Sequence, residues 1–215
     1  MKHDIRVDLK KLHPWLQYLI KKGLKKLEKQ GIYIIITEGF RTVARQNELY
    51  AQGRTKKGII VTWAKGTDYA SQHQWGIAFD IAIVDDLNTK KKEDVYDHKT
   101  IKKVAKAFKK LKLSWGGDWK SPVDTPHIYL GKWGSTTLKL KKKFGTPDKF
   151  KKYWKRKVKG KSRLYRSKDL DKKKVKCWIP KGKSVEVLYY SKLGYAKVKY
   201  GNKYGYVFRS RFKNI

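Results

Sequence analysis

The feature that most constrains the fold is a carboxylate inside an apolar run. Asp80 interrupts residues 77–84, which are otherwise apolar and have the length of a buried strand. A carboxylate in such surroundings is unfavourable unless it is paired or bound to a cation. The fold must therefore bring a hydrogen-bonding partner, a basic side chain or a metal ion to Asp80.

Two histidines are candidates for that partnership. His73 precedes Asp80 by seven residues, in the loop that leads into the predicted strand, and His127 follows Pro126 at the start of another. Two imidazoles and one carboxylate are a frequent ligand set for catalytic zinc, with a fourth position left for water. Asp124 is a second carboxylate, suited to act as a general base. Spacing alone leaves the alternative open that these histidines are structural.

The apolar periodicity of the first 145 residues alternates between helix and strand. A helical pattern begins at Pro14 and ends near Gly31. The other predicted elements are a strand over 32–37, a helix over 42–52, a strand over 77–84, an amphipathic helix over 101–111 and a short strand over 127–130. Their order has no regular βαβ rhythm. We therefore expect an α+β domain, with a small antiparallel sheet flanked by helices.

The sequence changes character after residue 145. Beyond a basic stretch it contains only short alternating strands, and Gly201-Asn202 is typical of a hairpin turn. We predict three parts, with these boundaries: an α+β domain over 1–145, a basic linker over 146–160 and a small all-β barrel over 161–215.

The charge of the chain is extreme. Its 55 Lys and Arg against 18 Asp and Glu give a net charge of +37, which draws the protein to a polyanion without identifying it. Lysine outnumbers arginine, although arginine is preferred for reading base edges, so we expect no specific nucleic acid. The single cysteine, Cys177, excludes an internal disulfide and a cysteine-rich zinc site. No run is apolar enough to predict membrane insertion or a signal peptide.

Several motifs follow one another between residues 9 and 130. They are Glu-Gly-Phe-Arg-Thr over 38–42, Arg-Gln-Asn-Glu-Leu-Tyr-Ala-Gln-Gly-Arg-Thr over 45–55, Ser-x-His-x-x-Gly-x-Ala-x-Asp over 71–80, Trp-Gly-Gly-Asp-Trp over 115–119 and Asp-x-Pro-His over 124–127. In this order they resemble the zinc peptidases that include D-alanyl-D-alanine carboxypeptidases and L-alanyl-D-glutamate endopeptidases. The upstream motifs resemble the endopeptidase branch, which is found in phage endolysins.

The resemblance implies a role for each matching residue. The implied Zn²⁺ ligands are His73, Asp80 and His127, and the implied catalytic base is Asp124. The same resemblance implies that three side chains face the substrate: Arg41, Gln46 and Ser71. Arg41 is also the candidate cation for stabilising the oxyanion. Residues 67–70 depart from the family pattern, because they lengthen the loop before the first histidine motif.

Two further polar residues are expected to be structural. His13 precedes Pro14, so we predict that it ends a loop or caps a helix rather than binding metal. Asp118 lies between two tryptophans and is expected to fix a tight turn, with support of a zinc-bound histidine as the alternative.

The C-terminal residues resemble bacterial SH3-like wall-binding domains. The matching segments are 163–167, 179–182, 185–188 and 205–207, in that order. The resemblance implies that aromatic side chains contact sugar or peptide and that lysines attract anionic wall polymers. The alternative is that these aromatics fill the core of a small barrel.

The leading interpretation is a modular wall hydrolase of the endolysin type. We expect a zinc-dependent L-alanyl-D-glutamate endopeptidase that acts as a monomer on peptidoglycan. Without a signal peptide, such an enzyme would be made in the host cytoplasm and would reach the cell wall after release through a membrane lesion. A D-alanyl-D-alanine carboxypeptidase is the alternative within the same class. A basic nucleic-acid-binding protein is the alternative from another class, but it leaves the histidine motifs unexplained.

Overall fold

The computed structural model of the chain describes residues 2–84, 94–95, 98–191 and 193–212. They divide into two compact units, Met1–Pro147 and Asp148–Ile215. No helix in the described ranges is both long and apolar enough to cross a membrane.

The first unit mixes helices and short strands in the predicted order. Its helices are α1 (Pro14–Glu28), α2 (Val43–Ala51), α3 (His98–Lys109) and α4 (Leu138–Phe144). Its strands are β1 (Asp4–Ile5), β2 (Ile34–Glu38), β3 (Ala78–Val84), β4 (Asp94–Val95), β5 (Ser114–Trp115) and β6 (His127–Tyr129). The helices predicted from Pro14, over 42–52 and over 101–111 are confirmed, with ends shifted by a few residues.

The six strands that the structure describes in this unit form one sheet in the order β1-β2-β3-β6-β5, with β4 paired to β3. The pairs among β2, β3, β6 and β5 are antiparallel, as predicted. β1 was not predicted, and it pairs with β2 in parallel. A strand of two residues carries too little periodicity to be recognised in a sequence.

Helix α1 begins and packs as its sequence indicates. His13 is the N-cap residue, and its Nδ1 accepts a hydrogen bond of 3.1 Å from the Trp15 amide, which confirms the predicted capping role. Gly23 faces α3, where an added Cβ would overlap the Phe108 ring. Phe108 in turn makes an edge-on contact with Phe79 of β3, with ring centroids 5.4 Å apart. Because side chains alternate along a strand, this packing directs the neighbouring Asp80 to the opposite face of the sheet.

The second unit is built on one sheet of six strands. These are β7 (Lys155–Lys157), β8 (Ser162–Tyr165), β9 (Val175–Ile179), β10 (Ser184–Tyr190), β11 (Tyr195–Tyr200) and β12 (Lys203–Phe208). Their order is β7-β10-β11-β12-β8-β9, and each pair is antiparallel. The predicted hairpin turn at Gly201-Asn202 is confirmed, because it joins β11 to β12. A buried aliphatic core that includes Val187, Val198 and Val207 holds this unit together.

Two features of this region differ from the sequence prediction. Within the described residues the end strands β7 and β9 do not pair, so the sheet does not close into the predicted barrel. β7 has only three residues and pairs along one edge, with β10. The segment 146–160, predicted as a linker, contains α5 (Pro147–Trp154) and β7. Phe150 in this segment is fully buried, so the basic stretch packs through an apolar side chain instead of remaining solvated.

Candidate metal centre

The register of the first sheet places Asp80 at the centre of the site. Asp80 on β3 pairs directly with His127 on β6 on one side and with Glu38 on β2 on the other. A directly opposed pair has Cβ atoms about 4.5–5.5 Å apart, so the side chains of Asp80 and His127 meet on one face. Strand pairing therefore joins two of the three predicted ligands.

A tight turn brings the third ligand to the same place. His73 lies on a short 3-10 helix, Gln72–Trp75, which ends at Gly76 with φ of 65°. This left-handed conformation favours glycine and redirects the chain into β3. The Gly76 amide donates to the His73 carbonyl at 3.0 Å, and the Arg41 amide donates to the same carbonyl at 3.3 Å.

One donor atom from each predicted ligand converges on a common point. His73 Nε2 lies 3.2 Å from His127 Nδ1 and 3.2 Å from Asp80 Oδ1, and His127 Nδ1 lies 3.0 Å from that oxygen. Ligand atoms at ~2.0–2.1 Å from a tetrahedral zinc ion are roughly 3.3 Å from one another. The spacing and chemistry of these atoms therefore fit zinc.

The other ring nitrogen of each histidine is held by a neighbouring acceptor. His73 Nδ1 donates to the Gly39 carbonyl at 2.7 Å, and His127 Nε2 donates to Gln72 Oε1 at 2.7 Å. Gln72 is fixed in turn, because its amide donates to the Gly134 carbonyl at 3.0 Å. Such contacts set the tautomer and aim the free lone pair of each imidazole at the point where the three donor atoms converge. His73 is therefore presented through Nε2 and His127 through Nδ1.

The electrostatics of the centre suit cation binding. Burial lowers the pKa of His73 by more than the Asp80 carboxylate raises it, which favours the neutral imidazole that a metal requires. Burial by itself would raise the pKa of Asp80, but the adjacent His73 and His127 hold that pKa well below its usual range. The centre thus offers an ionised carboxylate beside a neutral His73 imidazole.

Arg41 holds the second oxygen of the ligand carboxylate. Its Nη2 donates to Asp80 Oδ2 at 3.0 Å, and its Nε lies 3.3 Å from Glu38 Oε2. The third contact is a long hydrogen bond of 3.4 Å from Nη1 to Gln46 Oε1. The guanidinium therefore orients Asp80 and leaves Oδ1 free to face the histidines. Arg41 also lines the cleft in front of them.

Asp124 lies beside the three donors without joining them. Its Oδ2 is 4.0 Å from His127 Nδ1, and its side chain is 44% exposed. Partial burial raises the pKa of Asp124, and the Asp80 carboxylate raises it further. A carboxylate at this distance is placed to exchange a proton with a water bound in front of the ligands.

The Trp-Gly-Gly-Asp-Trp motif supports the backbone around Asp124. An added Cβ at Gly116 would overlap the Asp124 carbonyl oxygen and come within 3.0 Å of His127 Cβ. The Trp115 indole donates to the Thr125 carbonyl at 2.6 Å. Asp118 does not turn towards the histidines, because its carboxylate pairs with Lys109 Nζ at 2.6 Å. The motif therefore acts mainly through Gly116 and the tryptophans.

The centre opens into a cleft of about 750 Å³. Ser71 lines this cleft, as does Ala70 from the lengthened loop. Gln46 does not line it, since its side chain is fully buried. Its amide nitrogen donates to Ala64 O at 2.9 Å and to Thr62 Oγ1 at 3.2 Å. Gln46 thus sits behind Arg41 and ties it to the opposite wall of the cleft, rather than reaching into the cleft.

Three contributors to the site were not assigned a role from the sequence. Gln72 and the Gly39 carbonyl hold the two histidines, and Trp119 packs against His127 with ring centroids 5.2 Å apart. Gln72 and Trp119 also line the cleft. All three lie inside the motifs quoted above. For Gln72 the available signal was its position directly before His73, whereas the contacts of Gly39 and Trp119 depend on the fold.

Comparison with known proteins places sequence similarity on this same region. A family described as D-alanyl-D-alanine carboxypeptidase matches residues 64–130, which include the three predicted ligands and Asp124. The peptidoglycan L-alanyl-D-glutamate endopeptidase CwlK of Bacillus subtilis (strain 168) is 41% identical over 112 residues. That alignment covers 47% of this chain and 62% of the relative, so the chain spans less than two thirds of the length of that protein.

Solved structures with partial similarity include two peptidases. The L-Ala D-Glu endopeptidase ChiX of Serratia marcescens is 24% identical, with a TM-score of 0.42 over 57% of this chain and 82% of that one. The vancomycin-resistance D,D-pentapeptidase VanY, solved in complex with Zn(II), is 17% identical, with a TM-score of 0.41 over 56% of this chain and 73% of that one. The match to the carboxypeptidase family covers the candidate metal centre, because it runs from Ala64 in the cleft wall to Leu130, just after β6.

Proposed function

We propose that the chain is a zinc-dependent peptidase that hydrolyses the L-Ala–D-Glu bond of the peptidoglycan stem peptide. The observation that carries this proposal is the convergence of His73 Nε2, Asp80 Oδ1 and His127 Nδ1, with Asp124 beside them at the floor of an open cleft. Three ligands with one open position are typical of catalytic zinc sites, whereas structural sites are closed by four.

The chemistry divides between the metal and the protein. Zinc held by His73, Asp80 and His127 would supply a Lewis acid, which polarises a carbonyl group and makes water more acidic. Asp124 then accepts the proton of the attacking water and passes it to the leaving amine.

Arg41 has two parts in this mechanism. It fixes Asp80 through Oδ2, and as a cleft-lining cation it stabilises the negative charge that develops on the carbonyl oxygen. Ser71 contributes a hydroxyl to the cleft wall and is proposed to contact the peptide. Gln46 is proposed to act through Arg41.

The choice of bond follows the sequence similarity. The B. subtilis relative at 41% identity is an L-alanyl-D-glutamate endopeptidase, and it supports cleavage of that bond here. D-alanyl-D-alanine carboxypeptidase activity is the second candidate, since the family matched over 64–130 carries that description. Both reactions use the same metal centre and base, so the bond has to be decided by its products.

We further propose that the protein works as an endolysin of phage type, with the second unit as an SH3-like wall-binding module. The support is that one chain joins a unit with a candidate hydrolytic centre to a strongly basic unit built on a β-sheet. In this proposal the partners are peptidoglycan and anionic wall polymers, the protein is a monomer, and it acts at the cell wall. Nucleic-acid binding is the alternative, and it gives the metal centre no role.

The test is digestion of purified peptidoglycan with identification of the products. New D-Glu amino termini support the endopeptidase, and released D-Ala supports the carboxypeptidase. Activity should disappear with a chelator and return on addition of zinc. A zinc-loaded protein that yields neither product would contradict a peptidase function.

A further inference from the structure

The second unit contains a pocket lined only by cations and aromatic rings. Its volume is about 160 Å³, below the roughly 300 Å³ at which pockets for whole small molecules begin. The residues that line it are Lys161, Arg163, Tyr165, Trp178, Phe208 and Arg211. The peptidase chemistry uses none of them.

The strand register organises the cations around one tryptophan. Arg163 on β8 is paired directly with Trp178 on β9. The Arg163 guanidinium lies 4.7 Å from the centre of the indole ring, and Lys161 Nζ lies 4.8 Å from it. These cation–π contacts hold two positive charges beside a side chain that is 46% exposed. Arg211 adds a third charge to the same pocket.

No carboxylate in the described part of the chain pairs with these three cations. The second unit has 24 Lys and Arg and only four Asp and Glu. Asp169 and Asp171 pair with Lys174, and Glu186 pairs with Lys199. Like charges that converge without a counter-charge attract an anion.

We propose that this pocket binds a phosphate group of a phosphodiester polymer in the bacterial cell wall. Two of its three cations are arginines, although arginine is the minority base of the unit. The guanidinium fork binds phosphate through two parallel hydrogen bonds, which a lysine cannot supply. The small volume matches one charged group of a polymer that continues outside the pocket.

The aromatic residues of the pocket do not form an open row for successive bases of a nucleic acid. Proteins that bind single strands stack successive bases on open aromatic faces. Here the Trp178 ring is engaged by Arg163 and Lys161, and Tyr165 is buried in an edge-on contact with Phe208. The pocket therefore offers three cations for a phosphate, while Trp178 and Phe208, which are 46% and 40% exposed, leave only part of their ring surface for a base. The choice of a wall polymer over other phosphodiesters rests on the proposed peptidoglycan function.

The experiment measures binding of the full chain to purified poly(glycerol phosphate). Arg163→Gln should weaken the affinity about tenfold, the size expected when a charge-assisted bidentate contact is lost. Arg163→Lys keeps the charge but removes the fork, and it should fall between wild type and Arg163→Gln. The matched control is Arg166→Gln, an identical change three residues away at an exposed position outside the pocket, which should stay within about twofold of wild type.

Equal losses for Arg163→Gln and Arg166→Gln would overturn the proposal, because they would show attraction by net charge alone. A single-stranded DNA oligonucleotide forms the second arm. A loss at Arg163 for DNA without a loss for poly(glycerol phosphate) would also overturn it. Thermal unfolding of each variant verifies the fold, and Arg163→Lys supplies the measurement if Arg163→Gln is unstable. The polymer contains no peptide, so the binding measurement does not depend on whether the chain is a peptidase.

Discussion

We expect replacement of Asp124 by asparagine to separate catalysis from metal binding. Asp124 lies 4.0 Å from His127 Nδ1 and outside the three converging donors, so Asp124→Asn keeps the ligand set intact. Asparagine has nearly the same shape but cannot accept the proton of the attacking water. Loss of a general base typically lowers a rate by ~10²–10⁴-fold. We expect a loss of this size in peptidoglycan hydrolysis.

The effect of Asp124→Asn on zinc affinity should be much smaller. Two unit charges 4 Å apart in a water-like dielectric interact by about 1 kcal/mol, so an exposed carboxylate contributes roughly 2 kcal/mol towards a divalent ion at such a distance. That energy corresponds to about 30-fold in the dissociation constant. His73→Ala removes a ligand and should abolish stoichiometric binding instead.

The assay is therefore performed at a zinc concentration that saturates both proteins. Hydrolysis is followed by the appearance of new amino groups, and bound zinc is measured in parallel. Asp118→Asn is the matched control, because Asp118 pairs with Lys109 away from the cleft. The reasoning is refuted if zinc-loaded Asp124→Asn keeps more than about a tenth of the wild-type rate, or if it fails to retain zinc.

Three further predictions concern the support of the site and of the fold. Arg41→Lys loses the guanidinium fork behind Asp80 and should weaken zinc binding about 10–100-fold in a competition assay; an unchanged affinity contradicts the orienting role. Gly116→Ala should cost about 1–3 kcal/mol in chemical unfolding, because its Cβ meets the Asp124 carbonyl; Gly160→Ala, where there is room, is the control. Burial, and then Lys132, lower the pKa of His13 from 6.5 to about 3, so acidification from pH 6.5 to 4.5 should remove about 2–3 kcal/mol of stability. His13→Asn should abolish that part of the pH dependence.

The sequence predicted the elements of the first unit well because their apolar periodicities are strong. Helices α1 and α3 bury the residues that recur at helical spacing, including Leu16, Ile20 and Phe108. The same periodicity left Asp80 as the exception within β3. In the structure the Asp80 carboxylate contacts Arg41 and the two histidines, which supply the partners that its burial requires.

The sequence could not predict contacts that depend on sheet register. Glu38, Asp80 and His127 stand side by side because β2 and β6 flank β3, with a register shift just before Glu38. One residue of slip would turn His127 to the other face. For the same reason the closure of the second sheet was predicted wrongly, since β7 and β9 show ordinary alternation but do not pair with each other in the described part of the chain.

Gln46 shows why motif residues do not all contact a substrate directly. Its buried amide connects Arg41 on one side with Thr62 and Ala64 on the other, and those two residues belong to the cleft wall. A buried amide that loses a partner costs about 1–3 kcal/mol, so Arg41, Gln46 and the wall are constrained to remain together. Because Arg41 also holds Asp80, a continuous set of hydrogen bonds runs from the cleft wall to the ligand carboxylate. The shape of the cleft and the aim of the metal ligand therefore depend on the same buried residue.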